Sequence, residues 1–314
     1  MTVSRALSNH PGVREETRKK ILTRAEELGY VRSTAASAMR GGATGIVGLL
    51  LPGIANEFYA RFANAFALEC EARGQHLFIR LTNDDPAREA ASLAQLRALQ
   101  ADAVVMVPTP GAATPETRAL LSGFEVVQLI RYRAEIADAG RVLLDDARPI
   151  ADAVHHLVRA GHDRIGYIGA SASLSSGATR LTAFRAALAG AGVTADEDLI
   201  RTAHPSFAGG RQGLAAILDR PHPASAAICG GFELSNGALD EVMRRNLSMP
   251  GDLAFIGYGD PAFYKWIAGG IATVSLPVDD LARRAAMMVA PGAESAGQHE
   301  MLPADLCIRA SAGP

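Results

Sequence analysis

Lysine is almost missing from this chain: Lys19 and Lys20 stand near the amino end, and beyond them only Lys265 occurs. Cysteine is scarce as well. Cys70, Cys229 and Cys307 lie far apart and form no CxxC pair, which argues against a disulfide framework or a zinc ribbon. All three are expected to be small buried hydrophobes. No stretch approaches eighteen uninterrupted apolar residues, and the longest run, Ile46 to Leu51, is the size of a strand, so no membrane-spanning helix is expected. The opening residues Met1-Thr2-Val3-Ser4-Arg5 lack a basic-then-apolar export pattern, and the expected location is cytoplasmic.

Chemistry is equally thin. No Gly-Lys pair exists, so a phosphate-cradling P-loop is excluded. Gly257-Tyr258-Gly259 follows an apolar run, but Ala262 stands where a dinucleotide fingerprint needs its third glycine. No GxSxG elbow occurs; Ser171–Ser176 is serine-rich without it. His155 and His156 are adjacent and point about 100° apart on a helix, so they cannot chelate one metal together. His162 reads as a helix-terminal residue. The pair Asp145-Asp146, at a strand end, reads as a cap for the following helix. The expectation is a protein that is not an enzyme, with no catalytic residues, no metal and no cofactor.

What is present is a chain of 314 residues and 32.9 kDa, enough for two domains and a small third. Hydrophobic residues make up 48% and charged residues 20%, an ordinary globular balance that excludes disorder. The net charge of −2 hides a split. Residues 1–45 hold eight Lys or Arg against four Glu, a surplus of +4, and the remainder carries −6. Such asymmetry suggests that one part meets a polyanion and the other does not.

The amino-terminal segment reads as helical, with Ile21, Leu22, Ala25 and Leu28 on one face. The cluster Gly41-Gly42-Ala43-Thr44-Gly45 breaks the chain. From there, apolar strands alternate with amphipathic helices. Strands are expected at 46–51, 76–81, 103–107, 126–130, 142–144, 164–168, 226–229, 253–256 and 272–276. Helices are expected near 57–73, 86–99, 149–160, 180–191, 209–219, 235–246 and 279–290. Near-continuous apolar strands between helices indicate parallel sheets covered on both faces. Two such units in tandem, dividing near Asp145-Asp146, fit the length. Ligands bind such sheets at the carboxyl ends of their strands, which points to a cleft between two lobes and to a sensor.

Thr2-Val3-Ser4-Arg5-Ala6-Leu7-Ser8, followed by Val13, Glu16-Thr17-Arg18 and Glu27-Leu28-Gly29-Tyr30, resembles the LacI/GalR family of bacterial transcriptional regulators. The likeness continues through Leu51-Pro52, Asn56, Phe58-Tyr59-Ala60, Gly161-His162-Asp163-Arg164-Ile165 and Arg180. It ends with Phe184-Arg185, Pro250-Gly251-Asp252-Leu253-Ala254, Thr273-Val274 and Leu302-Pro303 through Arg309-Ala310-Ser311. It implies an α/β fold: a two-lobed body similar to periplasmic binding proteins, built on two doubly wound parallel sheets. A partial all-helical headpiece precedes that body. The expected domains are 1–45, helix-turn-helix and hinge helix, and 46–314, effector binding and dimerisation. Lobe 1 is expected to span 46–145 plus 277–298, and lobe 2 146–276 plus 299–314.

The resemblance implies a repressor that, as a homodimer, binds a pseudo-palindromic double-stranded operator. Arg5 would read guanine, and Thr2, Ser4 and Asn9 would hold phosphates. Met39, with Arg40 beside it, would wedge into the minor groove. A whole helix and turn precede Thr2 in the family pattern, so the chain as written is expected to bind operator weakly. The implied effector site comprises Phe58, Tyr59, Arg131, Ser176, Arg180, Phe232 and Gly259. Ile130, Phe232 and Gly259 stand where family members place sugar-binding aspartates, while Arg180, Arg131 and Arg133 are arginines. That balance implies an anionic effector, and Gly257-Tyr258-Gly259-Asp260 resembles the gluconate-responsive subgroup. The alternatives are a stand-alone periplasmic-type binding protein and an α/β enzyme acting on a sugar phosphate.

Overall fold

A computed structural model describes residues 3, 6, 11–28 and 43–313. The chain divides into two compact units, Met1–Thr44 and Gly45–Pro314. In the first, helix α1 (Glu15–Glu27) opens with Glu15 and Glu16, where carboxylates favour the positive end of the helix, and carries Arg24 in its last turn. Exposed pairs Lys20–Glu16 (2.8 Å) and Arg24–Glu27 (2.7 Å) lie along its surface. Ile21 and Ala25 are half-buried. Leu22 and Leu28, expected on the same face, are instead 46% and 67% exposed. The proposed DNA-contacting residues Thr2, Ser4, Arg5, Asn9, Met39 and Arg40 lie outside the described residues.

The second unit is two α/β lobes. In the first lobe the chain runs β1 (Ile46–Leu51), α2 (Glu57–Ala72), β2 (His76–Leu81), α3 (Pro86–Ala98), β3 (Ala103–Met106), α4 (Pro115–Leu121), β4 (Glu125–Leu129) and β5 (Gly140–Asp145). In the second it runs α5 (Ala147–Arg159), β6 (Ile165–Ala170), α6 (Ser175–Gly190), β7 (Ile200–Ala203), α7 (Phe207–Leu218), β8 (Ala226–Gly230), α8 (Phe232–Arg244), β9 (Ala254–Tyr258) and β10 (Ala272–Ser275). The chain then returns for α9 (Val278–Met288) and β11 (His299–Pro303), and ends with β12 (Asp305–Cys307).

The first sheet has the order β11-β5-β4-β3-β1-β2 with every pair parallel. The second has the order β12-β10-β9-β8-β6-β7, parallel except that β12 runs antiparallel to β10. Every residue of β1, β3, β6, β8 and β9 is buried, as strands covered by helices on both faces require. Helix α5 shows why these segments are helical: Ile150, Ala153, Val154 and Leu157 recur at the spacing of one face, and all four are fully buried.

Two glycines set the closest helix crossing. A Cβ at Gly210 of α7 would lie 2.0 Å from the Leu234 carbonyl oxygen, and one at Gly237 of α8 would lie 1.9 Å from that of Phe207. Only backbone meeting backbone allows α7 and α8 to pack so tightly.

The lobe boundaries differ from expectation at the carboxyl end. Residues 299–303 join the first sheet rather than lobe 2, with His299 opposite Arg141 and Pro303 opposite Asp145. Without this strand β5 would be an open edge. The chain therefore passes between lobes three times: after β5, after β10 and between β11 and β12.

Candidate functional site

Both lobes present the carboxyl ends of their strands to one cleft. Its lining follows those ends in order: Pro52 and Asn56 after β1, Asp84 after β2, Ile130 and Arg131 after β4, and Leu144 within β5. Ala170, Pro205, Gly231, Tyr258 and Leu276 occupy the matching positions of the second sheet. The chain winds outward in both directions from β1 and from β6, so crevices open there, as doubly wound sheets require. The cleft comprises about 670 Å³, counted with the space open to solvent.

Six of the seven residues expected at an effector site line this cleft: Phe58, Tyr59, Arg131, Ser176, Arg180 and Phe232. Asn56 caps α2 by accepting from the Phe58 N–H (2.9 Å), which fixes the chain entering the helix. Phe58 and Tyr59 then meet edge to face at 5.2 Å. Burial pushes the Tyr59 phenol above its usual range. Gly259 does not line the cleft. Its φ of +110° suits glycine, and a Cβ there would come within 2.2 Å of the Phe232 ring. Gly259 thus makes room for Phe232, which does face the cavity.

The arginines are not free. Arg131 pairs with Asp84, both side chains about 95% buried, and its Nε donates to the Pro108 carbonyl at 2.6 Å. Arg180 donates from Nε to Asp146 Oδ2 (2.5 Å), and the Tyr258 hydroxyl donates to the same oxygen (2.6 Å). The Arg180 guanidinium also stacks 4.5 Å over the Tyr258 ring. Burial works to lower the Arg180 pKa, but the Asp146 carboxylate outweighs it and holds the group above its usual range. Arg133 lies in a separate buried knot. It bonds Glu89 (2.6 Å), the Thr109 carbonyl (2.9 Å) and hydroxyl (2.7 Å), and the Gly111 carbonyl (2.9 Å). The sequence argument for an anionic ligand assumed unpaired arginines. The structure instead neutralises each one with a carboxylate.

Four residues of the site escaped the sequence reading. Asp84 and Tyr258 line the cleft beside the expected arginines. Asp146, read as a helix cap, makes no side-chain cap bond and serves Arg180 and Tyr258 instead. Glu233, in the first turn of α8, is half-buried, and burial raises its carboxyl above the ordinary range. Ile130 holds a φ of +65° at the end of β4, a strained conformation for a β-branched residue, with its N–H bonded to the Val142 carbonyl (2.9 Å). Beside the cleft the Tyr132 N–H donates to Ser175 Oγ (2.9 Å), joining the lobes.

Among the described residues, no group of three His, Cys, Asp or Glu is placed to hold a metal ion, and no helix is long and apolar enough to cross a membrane. Cys70 and Cys229 are buried as expected, whereas Cys307 is only half-buried.

Residues 154–312 match the periplasmic binding protein-like domain family, and residues 1–33 match the bacterial regulatory proteins of the lacI family. The HTH-type transcriptional regulator DegA of Bacillus subtilis (strain 168) is 27% identical over 320 residues, covering 100% of this chain and 94% of that protein. The HTH-type transcriptional regulator GalR of Escherichia coli (strain K12) is 26% identical over 289 residues, 91% of this chain and 83% of that one. Among solved structures, the lac repressor dimer bound to operator and the anti-inducer ONPF superposes with a TM-score of 0.84 at 17% identity. It covers 99% of this chain and 94% of that one. At that identity the likeness concerns the fold.

Proposed function

Because this chain belongs to the LacI/GalR family of bacterial regulatory proteins, we propose that it is a transcriptional repressor. Its hold on a pseudo-palindromic operator would be set by a small sugar-type effector in the cleft between its lobes. The observation that carries this reading is the pairing, within one chain, of a lacI-type amino-terminal match with a cleft at the facing strand ends of two lobes, lined by aromatic, hydroxyl and charged side chains. As a homodimer it would place two recognition helices on the two half-sites. Arg5 would read guanine, Thr2, Ser4 and Asn9 would hold phosphates, and Met39 with Arg40 would enter the minor groove. Of the effectors considered, a sugar acid fits least well, because Asp84 and Asp146 already occupy the cleft arginines.

Selection of duplexes from a random library by the full chain tests the reading. Enrichment of a two-fold symmetric sequence is expected. Its affinity should fall steeply with salt, as counterion release at phosphate contacts requires. Arg5→Ala should relax one base position per half-site by about 1–3 kcal/mol. Recovery of no symmetric sequence would overturn the proposal.

A further inference from the structure

The cleft holds more charged groups than its size suggests, and all but one are matched. Arg131 faces Asp84, whose other oxygen lies 3.9 Å from His204 Nε2; Arg180 faces Asp146. Glu233 remains. Among the described residues no Lys, Arg or His lies within ion-pair distance of its carboxylate, although it lines the same cleft. Its charge is felt at the Tyr59 hydroxyl, which belongs to the opposite lobe. An unmatched, partly desolvated carboxylate is unfavourable until a cation or a strong donor reaches it.

Two further observations describe what would reach it. Phe58, Tyr59 and Phe232 line the cleft with ring surface, whereas Tyr258 is already covered by Arg180. Ring faces next to a carboxylate suit an ammonium group, which the ring quadrupole attracts. Helices α6 and α8 both begin at the cleft, and neither has a side-chain cap bond at its N-terminus. Their leading N–H groups suit the oxygens of a hydroxylated frame.

We infer that the effector of this cleft is an aminated polyol, its hydroxyls met by the helix termini and its protonated amine by Glu233. The inference rests on the effector reading above and names the chemical class of that effector. A sugar acid would meet Glu233 as a like charge. It would also have to displace a buried aspartate from Arg131 or Arg180, leaving that carboxylate orphaned.

The test uses the full chain with matched probes: glucosamine, galactosamine and mannosamine, their parent neutral sugars, and the corresponding aldonic acids. Calorimetry should show at least one amine binding more tightly than both its parent sugar and its acid. Glu233→Gln should weaken that amine by about 10–100-fold, the worth of a charge-assisted bond, and the neutral sugar by a clearly smaller factor, so that the preference for the amine is lost. Glu233→Asp, which keeps the charge, should retain the preference, and circular dichroism should show both variants folded. The inference is overturned if no amine binds, if a neutral sugar or acid outcompetes its amine, or if the preference survives Glu233→Gln. Should a neutral or acidic probe bind and alter DNA binding, the effector reading stands and the amine falls. Silence from every probe removes both.

Discussion

Replacing Asp146 by Asn should destabilise the two-lobed unit far more than an ordinary polar substitution. Asp146 Oδ2 receives Arg180 Nε at 2.5 Å and the Tyr258 hydroxyl at 2.6 Å, and both Asp146 and Arg180 are about 95% buried. An amide of the same shape can still accept a hydrogen bond, but it no longer balances the guanidinium. Leaving one charge of a buried pair uncompensated costs about 3–5 kcal/mol. For a unit of this size that corresponds to a melting midpoint lowered by roughly 6–20 °C. The single tryptophan, Trp266, is 78% exposed and a poor reporter of core unfolding, so far-UV circular dichroism of the full chain is the assay of choice. Arg180→Met should cost a similar amount by stranding Asp146. The double variant should cost much less than the sum of the two, because it strands neither charge. A loss below about 1 kcal/mol for Asp146→Asn, or simple additivity in the double variant, would refute the argument.

The Glu89–Arg133 pair is buried more deeply, and Glu89 Oε2 also accepts from the Thr109 N–H (2.8 Å). Glu89→Gln turns one of these acceptors into a donor facing a donor, and should cost about 3–5 kcal/mol in urea unfolding. Gly237→Ala places a methyl against the Phe207 carbonyl and should cost at least about 1–3 kcal/mol. Gly190→Ala meets nothing within 4 Å at the end of α6 and should be neutral or stabilising by up to about 1 kcal/mol; melting curves compare the two. Burial raises the Cys229 thiol to about 12 and the Cys70 thiol to about 11, so neither is a thiolate at pH 8. Burial raises the Cys307 thiol too, but it alone is partly accessible, so titration of the native chain with a chromogenic disulfide at that pH should show slow reaction confined to Cys307, with the other two appearing in denaturant.

The alternation of strands and helices was readable wherever burial on both faces produces an unbroken apolar run, as in Ile46–Leu51. It failed at three of the four edge strands, β7, β11 and β12, while the fourth, β2, was read at 76–81 from its alternating Leu77, Ile79 and Leu81. Ile200–Ala203 and His299–Pro303 are short and mostly exposed or half-exposed, and neither carries the apolar run that marked the central strands. The seven-residue helix Pro115–Leu121 is too short to show a period. For the cleft, the types and approximate places of Phe58, Tyr59, Ser176, Arg180 and Phe232 could be read from the chain. Their electrostatics could not. The partner that neutralises Arg131 lies 47 residues away, and the one that neutralises Arg180 lies 34 away. No local pattern announces such a pairing. Glu233 fell just before the helix expected at 235–246, and its place in that helix's first turn, facing the cleft, emerged only from the structure.

The three chain crossings between the lobes carry a mechanical consequence. One tether would leave the lobes free to swivel, and two would still allow twisting about the line that joins them. Three short links emerge at one side of the paired sheets, after Asp145, after Ser275 and at Ala304. Together they resist both sliding and twisting, so bending about the strip they form is the softest remaining freedom. Whatever occupies the cleft is therefore registered as an angle. An occupant that touches both lobes farthest from those links, near Asp84 after β2 and His204 after β7, works on the longest lever.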